Sequence, residues 1–104
     1  MRRGTTPTFT FEVDLDLTGW DTYITFEQRK NEITRKDAAI TPTKGGCVAE
    51  VELTQAETLA FKVGPAKAQL RAYKDGEAVA STVFEFEVRE ILLEGEIPQE
   101  VNNG

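Results

Sequence analysis

The segment DLDLTG at residues 14–19 has the residue types of a cation site. Its aspartates at the first and third positions and its glycine at the sixth match the start of an EF-hand calcium loop. The fifth position is Thr18, and the twelfth is Thr25, where such a loop needs a bidentate glutamate. No helical periodicity flanks the segment. We therefore interpret it as acidic residues that solvate a strand end, with a weak cation site completed by Asp21 as the alternative.

A thiol and a pair of carboxylates are the other chemical candidates. Cys47 shares the phase of Ala49 and Val51 and is expected in the core, where a thiol behaves as a small hydrophobic group. Glu85 and Glu87 share one strand face, and carboxylate pairs about 5 to 10 Å apart across a cleft hydrolyse glycosidic bonds. We interpret them instead as a solvated face that prevents edge-to-edge pairing.

The composition of these 104 residues removes several function classes. There is no histidine, and Cys47 and Ser81 are the only residues of their types, so a Ser/His/Asp triad, a Cys/His pair, an internal disulfide and a cysteine zinc site are all excluded. The formal net charge of −6 disfavours a nucleic-acid partner. We predict no enzyme, no catalytic residue, no cofactor and no metal ion.

Alternation of apolar and polar residues dominates the chain and predicts β-strands. Seven such runs recur at spacings of about ten residues, which is typical of an all-β, two-sheet antiparallel β-sandwich of immunoglobulin-like character. The two weak runs around Ile33 and Ile40 are expected at sheet edges, since Pro42 and the glycines that follow suit an edge. A partly open barrel is the alternative.

One helix interrupts the strands between the fifth and the sixth. Thr54 followed by Glu57 forms a capping box, which predicts a short helix around residues 55–61 that carries Leu59 inward. Gly64 and Pro65 are expected to stop it.

The last part of the sandwich should be a hairpin. Asp75 and Gly76 between two alternating runs favour a type I′ turn. The returning strand carries Phe84, Phe86 and Val88 on one side, whereas Val79 and Val83 upstream have the opposite phase. This shift predicts either a bulge near Ser81 or a strand partly buried on both faces.

The chain is expected to form a single domain over residues 1–104, with residues 1–5 and 98–104 flexible. The N-terminal residues lack the apolar stretch of a signal peptide, and no apolar run approaches the roughly 20 residues that span a bilayer. With one cysteine and no leader, folding in a reducing cytoplasm is expected, and no membrane partner is expected.

Two groups of apolar side chains form the predicted interaction surface. Tyr23 and Tyr73 fall out of phase with their apolar neighbours and should point outward, and with Trp20 they would make a platform for a protein partner or, less readily, a sugar. Residues 90–104 contain more apolar residues than a free tail carries, so we expect this segment to cover the sandwich or to dock on a neighbouring subunit. Its apolar residues are Ile91, Leu92, Leu93 and Ile97.

Four segments resemble small structural proteins from tail modules of phages and prophages of Gram-positive bacteria. They are RGTTPT at residues 3–8, DLTG at 16–19, TFEQ at 25–28 and LTQAETL at 53–59. The likeness extends from about residue 3 to residue 97 and, more distantly, includes the N-terminal domain of phage baseplate upper proteins.

The resemblance implies an all-β, immunoglobulin-like module of a virion tail or baseplate. Its partners would be other tail or baseplate proteins, or further copies of itself, and its final location would be the virion. The prediction is therefore a non-enzymatic structural module that acts through protein–protein contacts. The alternative is a carbohydrate-binding β-sandwich that takes part in host-surface adhesion.

Overall fold

The computed structural model of this protein describes residues 1–98 and consists of two antiparallel β-sheets and one short helix. The all-β, two-sheet prediction is confirmed, with eight strands in place of about seven. The elements are β1 (Thr8–Val13), β2 (Asp21–Gln28), β3 (Asn31–Arg35), β4 (Ala39–Thr43), β5 (Gly46–Glu52), α1 (Gln55–Leu59), β6 (Gly64–Lys74), β7 (Glu77–Ala80) and β8 (Phe84–Val88).

The smaller sheet has the order β1-β5-β4, and the larger has the order β3-β2-β6-β7, with β8 also paired to β6. The two weak runs form β3 and β4, which lie at sheet edges as predicted. Pro42 fits in β4 because the alternation of hydrogen bonds along the strand directs its backbone nitrogen away from β5. Its missing N–H therefore costs no ladder bond.

The core lies between the sheets and is rich in phenylalanine. Phe9 on β1 packs edge-on against Phe26 of β2 and Phe86 of β8, with ring centroids 4.9 and 5.1 Å apart. Such edge-to-face contacts favour a defined packing of the two sheets beyond the area they bury. Cys47 is 1% exposed and belongs to this core, as its phase predicts.

The capping box is present, but the helix is shorter than expected. The Glu57 N–H donates to the Thr54 hydroxyl, and the Thr54 N–H donates to the Glu57 carboxylate. The helix ends at Leu59 because the next N–H groups bond three residues back, which tightens the last turn and directs Phe61 into the core. Leu59 is only half-buried. Gly64 opens β6 and does not stop the helix.

A bulge separates β7 from β8. Arg71 pairs with Ala80 and Ala68 pairs with Phe84, so two residues of β6 face three residues, 81–83, on the other side. The Ser81 hydroxyl accepts from the Leu70 N–H at 3.0 Å and so replaces a ladder carbonyl. The extra residue brings Val79 and Phe84 onto the same inner face despite their odd spacing, which confirms the bulge interpretation.

The predicted Asp-Gly hairpin turn joins β6 to β7. Asp75 has a φ of 48° and Gly76 a φ of 85°, the two positive values that a type I′ turn requires. The turn therefore sets the register in which Lys74 pairs with Glu77.

Candidate interaction surfaces

The three aromatic residues predicted as a platform do not lie together. Trp20 is half-buried and packs against the core. Tyr23 and Tyr73 do share the outer face of the larger sheet, where Tyr23 pairs with Arg71 and Tyr73 with Asp21, so the two tyrosines are diagonal neighbours. The Lys36 ammonium lies 5.4 Å from the ring centroid of Tyr23.

The segment after β8 presents most of its apolar side chains to solvent. Leu92 is 99% exposed, Leu93 69% and Ile97 58%, whereas Ile91 is half-buried near Gly4 and Leu59. The segment was expected to cover the sandwich or to dock on a neighbouring subunit, and of its four apolar residues only Ile91 packs on the domain. The other three, Leu92, Leu93 and Ile97, are exposed, and we call them the tail patch.

Polar contacts hold the segment in place. The Arg3 guanidinium donates to the carbonyls of Leu59 and Phe61 at 3.0 and 2.7 Å and to Glu94 at 2.6 Å. The Gln55 amide donates to the Ile97 carbonyl at 3.0 Å and accepts from the Ile97 N–H at 2.8 Å. Arg3 belongs to residues 1–5, the stretch expected to be flexible, and its N–H also donates to the Arg89 carbonyl at 3.1 Å. The expected flexible stretch 98–104 lies, apart from Pro98, outside the described residues.

An aromatic groove separates β1 from β8, at the side of the sandwich where the two sheets are not joined. It encloses about 180 Å³. Phe84, in its wall, is 44% exposed although its ring packs edge-on against Phe11 at 5.4 Å. The groove is lined by Phe9, Thr10, Phe11, Ala68, Phe84, Glu85 and Phe86.

The sequence did not predict this groove. Alternation shows which face of a strand is apolar but not which strand has a free edge. The one available signal is that TFTFEV, the sequence of β1, lacks the proline, lysine or bulge that blunts many edge strands.

The acidic loop at residues 14–19 is organised by a turn. The Asp16 carboxylate accepts from the Thr18 hydroxyl at 2.6 Å and from the Thr18 N–H at 3.0 Å. These bonds stabilise the charged form and lower the pKa of Asp16. Among residues 1–98, no group of three or more His, Cys, Asp or Glu side chains is placed to hold a metal ion. Glu85 and Glu87 are exposed.

Arg35 joins the two sheets at the opposite side of the sandwich. Its guanidinium donates to the Glu52 carbonyl at 2.9 Å, to Glu57 at 2.7 Å and to both oxygens of Asp37. The hydrogen bonds from Arg35 lower the pKa of Asp37, and those same bonds raise the pKa of Arg35. A residue at the end of β3 is thereby connected to the end of β5 and to the cap of α1.

A scan against protein-family models finds no match for this sequence, and a search among curated proteins finds no significant relative. Within residues 1–98, no helix has the length and apolar character needed to cross a membrane.

Proposed function

We propose that this protein is a non-enzymatic structural module of a phage or prophage tail or baseplate, folded in the host cytoplasm and built into the virion through protein–protein contacts. The tail patch is the observation that supports it best. Large side chains exposed together next to the rigid body of a domain are typical of surfaces that other proteins cover. The assignment to a tail rests on the sequence resemblance.

The way in which the tail patch is held supports a docking role. Leu92 and Leu93 lie between the half-buried Ile91 and the Arg3–Glu94 ion pair, and the Gln55 amide holds the backbone of Ile97. Because the backbone is ordered already, a partner that covers these side chains loses less conformational entropy than one that must order a free tail.

The test measures the assembly state and partner affinity of the full chain. We expect the purified protein to self-associate or to bind proteins encoded beside it in a tail module. The double substitution Leu92→Ser and Leu93→Ser should weaken this binding, whereas Val83→Ser, at an exposed apolar residue elsewhere, should not. A strict monomer with no affinity for such proteins, or a gene neighbourhood without tail genes, would contradict the proposal.

A carbohydrate-binding module for host adhesion is the second candidate, favoured by the diagonal pair of Tyr23 and Tyr73. Stacked sugars need exposed rings, and Tyr73 is half exposed. Titration with cell-wall and capsular glycans should change the aromatic fluorescence of the protein, and Tyr73→Ala should abolish the change. If no glycan in a broad panel changes the fluorescence, a carbohydrate-binding function is ruled out.

A further inference from the structure

We propose that the groove between β1 and β8 binds an extended segment of a partner protein as an added β-strand, and that this segment alternates apolar with basic residues. The inference rests on the proposed function, because it identifies one docking surface of the module. It is carried by unpaired backbone groups, by the aromatic wall and by the charges at the rim.

The free edge of β1 presents backbone groups to the groove. The Leu53 N–H donates to the Pro7 carbonyl at 3.0 Å, which places the odd-numbered residues of this strand in hydrogen-bonded pairs with β5. By the alternation of an antiparallel ladder, Thr8, Thr10 and Glu12 direct their N–H and C=O groups away from β5. Within residues 1–98, β1 pairs with no other strand.

In the part of the chain that the structure describes, the edge of β8 that faces the groove forms backbone hydrogen bonds at one end only, with residues 1–3. The Arg89 N–H donates to the Met1 carbonyl at 2.7 Å, and the Arg89 carbonyl accepts from the Arg3 N–H at 3.1 Å, in a parallel bridge. The Met1 ammonium donates to the Glu87 carbonyl. Odd-numbered residues of β8 therefore face away from β6, and by the same alternation so do the N–H and C=O of Glu85.

Strand direction favours an added strand in the same orientation as residues 1–3. Phe9 packs on Phe86 and Phe11 packs on Phe84, so β1 and β8 run in opposite directions. A strand parallel to β8 is thus antiparallel to β1. Residues 1–3 close one end of the groove, and its other end continues into a wider cleft of about 600 Å³ beside Val13 and Val79.

The side chains of such a strand would alternate between two environments. Those that point inward meet the rings of Phe9, Phe11, Phe84 and Phe86, so they are apolar. Those that point outward lie beside Glu12 on β1 and beside Glu85 and Glu87 on β8, and an edge rich in carboxylates favours basic partners. One strand further from the groove lie Glu50 and Glu52 on β5 and Lys67 on β6.

Charge disfavours a second copy of this chain as the occupant. The chain has a net charge of −6, and its apolar C-terminal segment carries Glu90, Glu94 and Glu96. Arg2, Arg89 and the Met1 ammonium bring positive charge to the closed end of the groove. A basic, apolar segment of a different protein fits the site better.

The direct test uses the full chain and a blocked octapeptide of alternating valine and lysine. We expect binding by calorimetry, with amide hydrogen exchange slowed at Thr8, Thr10, Glu12 and Glu85. A peptide with N-methylated backbone, or one with glutamate in place of lysine, should bind at least about tenfold more weakly, since each loses the hydrogen bonds or the charge attraction.

Substitution at Thr10 separates backbone pairing from side-chain packing. Thr10→Pro removes an N–H that faces the groove and leaves the β5 ladder intact, and we expect about a tenfold loss of peptide affinity. Thr10→Val keeps the N–H and should bind within about twofold of the original protein. If Thr10→Pro does not fold, Phe84→Ala removes an exposed ring of the groove and should weaken binding in the same way.

Each of these results would overturn the proposal: no peptide binding, slowed exchange confined to β3 or β4, equal binding of the lysine and glutamate peptides, or a dimer that Thr10→Pro dissociates. The last result would identify a second copy as the occupant. The proposed function fails separately if the peptide binds in the groove but no tail protein does. If tail proteins bind and only the tail-patch substitutions weaken them, the function stands and the groove proposal fails.

Discussion

The two edge strands of the smaller sheet, β1 and β4, differ in whether their backbones can pair with a further strand. β4 carries Pro42, whose backbone nitrogen faces outward and has no hydrogen to donate, and Lys44 and Gly45 follow at its end. β1 offers the complete backbone groups of Thr8, Thr10 and Glu12. Edge strands without such protection pair readily with other strands. Because β4 is protected and β1 is not, the contrast indicates β1 as the edge where a partner strand would pair.

The same two edges differ in how they attach to the larger sheet. On the β4 side, Arg35 connects the end of β3 with the end of β5 and the cap of α1. On the β1 side, polar bonds from residues 1–3 hold only the end of β8, and phenylalanine rings make the contact along the strands, with a groove open beside them. Apolar packing along β1 and β8 therefore leaves room for an added chain.

The largest effect is expected from Gly46→Ala. A Cβ at Gly46 would lie 1.9 Å from the Val13 carbonyl oxygen, so β1 must move away from β5. We expect a loss of about 3 kcal/mol or more in unfolding free energy, measured by urea denaturation. Gly45→Asn is the control, because nothing lies within 4 Å of its Cβ and its cost is limited to the backbone strain of a φ of 95°. Equal effects of the two substitutions would show that β1 does not depend on this close approach.

The second-largest loss of unfolding free energy is expected when the inward side chains of the two edge strands are truncated. Phe9 and Ile40 are both half-buried against the core, but only Phe9 has aromatic partners on two strands of the larger sheet. Phe9→Ala should cost about 2–4 kcal/mol and Ile40→Ala about 1–2 kcal/mol. Chemical denaturation of both variants measures the difference. A larger cost at Ile40 would contradict the view that apolar packing attaches mainly the β1 side.

A smaller effect is expected at the protected edge itself. Pro42→Val restores an N–H at the free edge of β4, and it should raise self-association with little change in folding free energy. Sedimentation velocity over a range of concentrations measures it, with Thr41→Val as the control because its N–H already faces β5. Unchanged association would mean that Pro42 does not protect this edge.

The smallest effect concerns pH. Arg35 holds the pKa of Asp37 below its ordinary value of 3.8, so this pair stabilises the fold above that pH, and the contribution is lost as the pH falls through the lowered pKa. Because Asp37 is largely exposed, Asp37→Asn should cost only about 0.5 kcal/mol at neutral pH. Thermal unfolding between neutral pH and pH 2 should show the difference vanish in acid. A difference that persists at pH 2 would point to packing and not to charge.

Local patterns predicted the elements of this fold well. The alternation of apolar and polar residues predicted most of the strands, the Thr54–Glu57 capping box predicted the start of α1, and Asp75 with Gly76 predicted the turn. Each depends on residues close in the chain. The end of α1 was predicted too late because Phe61 is drawn into the core by strands far away in sequence.

The interaction surfaces were harder to predict because they depend on strand order. The phase of Phe84 and Phe86 predicted an inward face correctly, but not that β8 would lie at an open side of the sandwich. Trp20 was expected outside and instead packs against the core. Leu92 and Leu93 were expected to cover the sandwich or to dock on a neighbouring subunit, and the sequence did not distinguish these two cases, whereas the structure leaves both side chains exposed.

The position of Cys47 provides a built-in reporter of local opening. Its side chain is 1% exposed in the core, and its strand is flanked by β1 and β4, so a thiol reagent reaches it when a flanking strand lifts away, when the sheets separate or when the whole domain unfolds. The rate of alkylation therefore measures how often the core opens around β5, with no added label. An added strand on β1 should slow that reaction, and so the chemistry of one sulfur atom would follow assembly in real time.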